Sequence, residues 1–213
     1  MTGKKLLFIL AAVLLWSGVS ALPGSAGWFV DLYGGIASTS DDDAIGGAGG
    51  VRETETVDFK RSVTGGLRAG YWFENFPWLG VAFDASVFRP EKNTLVVPLS
   101  GLIMLRYFLL PSDVALDGQL QPYIAVGPGG FITETENSLI SKLPAGFSAT
   151  SLDPGLDVRG GLAWQFHENI AMFGEYRFTH VYAKLKNDRP IPNTTVDTNI
   201  NTHHFLFGLS YRF

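Results

Sequence analysis

The last nine residues, Phe205 to Phe213, read FLFGLSYRF. Phe205, Phe207, Leu209, Tyr211 and Phe213 share one side of an extended chain. Leu206, Gly208, Ser210 and Arg212 share the other. Strict alternation over this length is a strand signal. A wholly aromatic and aliphatic face must be covered by something apolar, and polar, irregular termini do not look like this.

The same period of two recurs upstream in segments of about ten residues. Eight are expected: 28–37, 59–73, 79–88, 95–108, 121–133, 156–166, 170–180 and 203–213. Connections after the second, fourth and sixth are mostly short, such as His167-Glu168-Asn169. Three of the others are long and polar: Ser38–Asp58, Glu134–Pro154 and Lys184–Thr202.

Charge inside the strands decides which face meets which solvent. Asp31, Arg68, Asp84, Arg106, Asp157, Arg159, Glu175, Arg177 and Arg212 all fall on the face opposite the large apolar side chains, and Gln121 and Tyr123 hold that face on the fifth strand. Leu102, Met104 and Phe131 share it, so that face is not uniformly polar. Four carboxylates and five arginines on one side suit a barrel whose outside meets lipid and whose inside is polar. Eight strands leave a bore that side chains can fill. Buried charges of this kind require partners. The nine are therefore expected to form an interior salt-bridge network and not a catalytic cluster. The fold expected is all-β, an eight-stranded antiparallel up-and-down transmembrane barrel with short turns at one end and long loops at the other.

The remaining composition agrees. Only 17% of the 213 residues are charged, 46% are hydrophobic and the net charge is -4, which gives no footprint for nucleic acid. There is no cysteine, so thiol and disulfide chemistry are excluded. The N-terminus carries Lys4 and Lys5, then the apolar run Leu6–Trp16, then small residues at Ser20 and Ala21. This is the pattern of an export signal, too short to span a bilayer as a helix. Residues 1–21 are expected to be removed, with Ala26 the later alternative site, leaving 22–213 as the barrel domain. Trp28, Trp72, Trp78 and Trp164 all fall at the short-turn end. Tyr71, Phe73, Phe76, Tyr107, Phe166, Tyr211 and Phe213 join them, and Phe59, Phe88, Phe178, Tyr182 and Phe205 mark the other end. Two aromatic belts at two membrane interfaces are the reading.

The segments GYWF (70–73), QPYIAVGPG (121–129), EYRFTH (175–180) and GLSYRF (208–213) resemble the small eight-stranded outer-membrane barrels. These are the OmpA-like transmembrane domains, often described as porin-family or opacity-type surface proteins. The resemblance implies an outer-membrane location and contact with outer-membrane lipid and lipopolysaccharide. It also implies insertion by the barrel assembly machinery, with Phe207, Leu209, Tyr211 and Phe213 as the C-terminal assembly signal. A structural or surface-interaction role follows, with the loops meeting an extracellular ligand. Two alternatives are a lipid A deacylase-like enzyme and a small-solute channel. EYRFTH offers Glu175, Thr179 and His180, but the deacylase pattern places serine two residues after the histidine, where this chain has Tyr182. Nucleophile and base are not both present. GPGG at 127–130 lacks the lysine and hydroxyl residue of a phosphate loop. The first long connection holds Asp41, Asp42, Asp43, Glu53, Glu55 and Asp58 against Arg52, without the spacing of a calcium loop. It is expected as a solvated loop. No catalytic residue, metal or cofactor is assigned.

Overall fold

The computed structural model describes residues 27–39, 43–48, 51–56, 61–91, 94–113, 115, 118–136, 148–186 and 195–213. The expected export segment lies outside them. Among the described residues there are ten antiparallel strands: β1 (Gly27–Thr39), β2 (Asp43–Ala48), β3 (Val51–Thr56), β4 (Ser62–Phe73), β5 (Phe76–Glu91), β6 (Thr94–Arg106), β7 (Leu120–Glu136), β8 (Ser148–His167), β9 (Ile170–Lys186) and β10 (Thr195–Arg212). Eight of them, β1 and β4 to β10, pair in chain order. β10 returns to β1 from Phe29↔Arg212 to Thr39↔Thr202. The sheet is thus a closed barrel. Closure matters because lipid offers no partner for an open strand edge.

The alternation of the C-terminal segment now has its cause. Leu206, Ser210 and Arg212 point into the bore and are buried. Phe207, at 74% exposure, Leu209 and Tyr211 point out. At the tight-turn end a backbone bond from Phe213 N–H to the Trp28 carbonyl (2.9 Å) extends the closing pair, and one from Arg212 N–H to the Asn169 carbonyl (2.8 Å) ties β10 to the turn before β9. The turns there are Glu74-Asn75 and Glu168-Asn169, and β5 resumes at Phe76, three residues sooner than the alternation indicated.

At the opposite end most strands outrun the expected limits; β4, expected from 59, begins instead at Ser62, and Phe59 lies outside the described residues. β8 starts at Ser148 and β10 at Thr195, each eight residues earlier than the apolar alternation begins. Beyond lipid both faces of a strand meet polar surroundings. The hydrophobic period vanishes there while the backbone ladder continues. The first long connection, expected as a solvated loop, is corrected in the same sense: it carries the β2–β3 hairpin. β2 pairs with the overhanging part of β10 through Thr195↔Gly47 to Asp197↔Ile45, and with β3 on its other side. An overhanging β10 offers an edge, and the β-branched Val51, Thr54 and Thr56 suit a strand. The side chains of the acidic residues in this connection lie outside the described set.

Two aromatic assignments also change. Trp72 is 5% exposed and Phe88 3% exposed, and both face the bore instead of the lipid belts. Each shares parity with an inward charged residue on its strand, Arg68 and Asp84, so the pleat carries it inside. Trp28, Trp78, Trp164, Phe76, Tyr107, Phe166 and Tyr211 do stand outward at the tight-turn end.

Inside, one apolar cluster lies toward the turns and includes Phe29, Trp72, Met104 and Phe173. A second, Ala37, Phe88, Val96, Phe131 and Val181, closes the other end. Asp31, Arg68, Asp84, Asp157, Arg159, Glu175 and Arg177 lie between them.

Candidate functional site

The pleat sends Asp31, Arg68, Asp84, Asp157, Arg159, Glu175 and Arg177 into the bore, all buried. Arg68 Nε donates to Asp31 Oδ2 and its Nη1 to Glu175 Oε2, each at 2.6 Å. Arg159 Nη1 reaches the other Glu175 oxygen at 3.3 Å. Arg159 also donates to Asp84 (Nη1 to Oδ2, 2.9 Å) and, in a fork, to Asp157 (Nε to Oδ1, 3.0 Å; Nη2 to Oδ2, 2.8 Å). Arg177 Nη2 donates to Asp157 Oδ2 at 2.8 Å and lies 3.7 Å from Asp84. The chain of contacts therefore alternates in sign, from Asp31 through Arg68, Glu175 and Arg159 to Asp84 and Asp157, and on to Arg177.

Neutral donors complete it. Tyr33 Oη donates to Asp84 at 2.8 Å, Tyr123 Oη to Glu175 at 2.7 Å, and Ser100 Oγ to Asp157 at 2.7 Å. Arg177 Nη1 donates to Ser86 Oγ at 2.7 Å. Four carboxylates thus face three guanidiniums and three hydroxyl donors. Burial of so many charges is tolerable only with this degree of pairing. Two inward glycines make the room: a Cβ on Gly66 would stand 2.5 Å from Tyr33 Oη, and one on Gly161 2.5 Å from the Tyr123 ring.

Arg106 and Arg212, grouped with the others by parity, lie apart toward the turns. Arg106 stacks over Trp72 at 4.0 Å from the ring centre and donates to the Pro77 carbonyl at 2.8 Å. Arg212 donates to the amide oxygens of Gln121 (2.8 Å) and Gln165 (2.5 Å). A cavity of about 30 Å³ beside them, lined in part by Asp31, Arg68, Gln121 and Ser210, has room for roughly one or two waters.

Sequence parity also holds partners it did not single out. Tyr33 lies two residues after Asp31, and Ser86 two after Asp84, so both were readable as inward. Gln165 and His204 follow the same rule. His204 is fully buried, packed edge-to-face on Phe88 with ring centres 5.1 Å apart. No periodicity signals which of these meets which charge, because that depends on cross-barrel neighbours.

EYRFTH is divided by the wall. Glu175 and Thr179 point in, whereas His180 points out. His180 Nδ1 and Asn201 Oδ1 are 2.6 Å apart, and Tyr182 packs against the imidazole. Among the described residues no serine or threonine hydroxyl hydrogen-bonds a histidine, and no His, Asp and Glu group has the arrangement of a metal site.

The comparisons agree with this architecture. The neisserial surface protein NspA superposes with a TM-score of 0.56 at 13% identity, over 88% of this chain and 97% of that one. The outer-membrane protein OprG of Pseudomonas aeruginosa gives 0.61 at 16%, over 88% and 96%. The outer-membrane protein AlkL, solved in lipid bilayers, gives 0.52 at 17%, over 93% and 95%. These likenesses are of fold. No curated protein matches the chain by sequence. The family model described as "Outer membrane protein beta-barrel domain" matches residues 8–213. With its closed eight-stranded sheet, lipid-facing apolar wall and charged bore, this chain belongs to that family and is a protein of the bacterial outer membrane.

Proposed function

We propose that the barrel is a closed anchor in the outer membrane, and that its business is conducted by the long connections and the β2–β3 hairpin at the outer end. The observation that carries this reading is the cross-barrel ion chain. Arg159 alone joins carboxylates from β5, β8 and β9, and the apolar cluster of Phe88, Val96, Phe131 and Val181 lies on its outer side. A bore filled in this way offers no standing aqueous path, and an eight-stranded barrel has no spare width. What varies without disturbing the barrel is its outer rim, where binding residues are placed on a rigid scaffold. Proteoliposomes in an isotonic small-sugar solution test this. Swelling no faster than in empty vesicles is the expected result. Rapid swelling that scales with the amount of protein would replace the anchor reading with a channel.

A further inference from the structure

The chain has four histidines. His167 stands beside a tight turn and His204 lies in the bore. The other two, His180 and His203, meet on the outside of the wall. Across β9 and β10 the register pairs His180 with Asn201 and Phe178 with His203. The two histidines are therefore diagonal neighbours on one face, about 7–8 Å apart along the backbone and within reach of each other's rings.

Each ring leans over the gap between the two strands. His180 Nδ1 lies 2.6 Å from Asn201 Oδ1 on β10. His203 Nδ1 lies 2.6 Å from Tyr176 Oη on β9, and its ring packs on Phe178 with centres 5.2 Å apart. Tyr182 packs edge-on against the His180 ring at 4.5 Å. An amide oxygen only accepts, so His180 Nδ1 carries the proton and Nε2 keeps the lone pair. A tyrosine hydroxyl accepts as well as donates, so His203 takes the same tautomer when its Nδ1 donates to Tyr176. Metal-ligating histidines are held in this way, with the second ring nitrogen donating to an oxygen. The depth also suits an ion. One pair further in, Tyr176↔Phe205 and Ile36↔Phe205 continue the apolar wall, whereas exposed Ser38 stands opposite His203. The histidines mark the level at which the wall turns polar and water can complete a coordination shell.

We propose that His180 and His203 bind a divalent transition ion such as zinc through their two Nε2 atoms, clipping β9 to β10 at the outer rim. Imidazole nitrogen suits such ions, whereas calcium and magnesium require oxygen ligands. No third His, Asp or Glu among the described residues completes the set, so water fills the remaining positions. The ion is therefore exchangeable, unlike one in a closed four-ligand structural site. The inference is independent of what the loops bind.

The test is a zinc chloride titration of the tag-free folded protein in neutral detergent, carrying isotope-labelled histidine. The ring-nitrogen resonances of His180 and His203 should shift together, while those of His167 and His204 stay in place. Competition with a chromophoric chelator gives the affinity. His180→Gln and His203→Gln should each weaken zinc by about tenfold or more, and Asn201→Leu, which removes only the oxygen that orients His180, by about tenfold. His167→Gln should match the parent. Heat-modified gel migration checks that each variant is folded, and the resonances of the parent decide the matter should a variant fail to fold. Shifts at only one of the two histidines, at His167 or at neither would overturn the assignment. So would equal zinc affinity for the parent and a folded His180→Gln/His203→Gln variant.

Discussion

Arg159→Leu is expected to lower the unfolding free energy of the barrel by about 3–5 kcal/mol, the usual consequence of removing one partner from a buried ion group. Arg159 contacts Asp84, Asp157 and Glu175. Without it, four carboxylates in the cluster face only Arg68 and Arg177. Asp157 keeps Arg177 and Ser100, and Glu175 keeps Arg68 and Tyr123. Asp84 is left with Tyr33 and with Arg177 at 3.7 Å. The second change Asp84→Asn should therefore restore part of the loss, because it removes the carboxylate worst served. Urea titration of protein refolded in lipid vesicles, read by heat-modified gel migration, measures both. An unchanged midpoint for Arg159→Leu would contradict the network as a structural element. A further loss on adding Asp84→Asn would contradict the charge accounting.

The second large effect lies one face away. Leu32 stands next to Asp31 in β1 but points outward at 64% exposure, four residues in from Trp28 at the interface. Arginine at that position would hold a charge inside the hydrocarbon, at a cost of about 2–4 kcal/mol near the midplane. Leu32→Ile, which keeps the wall apolar, should change stability by well under 1 kcal/mol. The same vesicle refolding titration checks the pair. If Leu32→Arg matched the parent, the outward wall would not be lipid-facing at that depth.

The contrast between residues 31 and 32 shows why so much of the fold was legible. A strand in lipid is a two-solvent object: each residue reports its side by polarity, and the pleat converts that into a period of two. The eight barrel strands, their order and their inward parity all follow from this signal. It fails where only one solvent remains. Past the membrane both faces of β8 and β10 meet polar surroundings, so alternation stops eight residues before the strands do. The β2–β3 hairpin was invisible for the same reason. Trp72 and Phe88 depart from the aromatic belts because strand parity outranks residue type. Aromatic rings suit an interface, but these two sit on the inward face, where Arg106 and His204 pack on them. Which arginine meets which carboxylate was beyond sequence altogether. Arg159 and Asp84 are 75 residues apart and are joined only by the curvature of the closed sheet. Function was least legible because outer loops carry no periodic constraint.

The inside-out arrangement itself can be measured directly. The chain has no cysteine, so a single spin-labelled cysteine can be placed at each position from Phe205 to Tyr211 in turn, with the protein in lipid vesicles. Collision with dissolved oxygen, which partitions into hydrocarbon, should be high at 205, 207, 209 and 211 and low at 206 and 210. A profile without that two-residue period, or one with its maxima at 206 and 210, would contradict a barrel whose apolar face meets lipid and whose charges fill the bore.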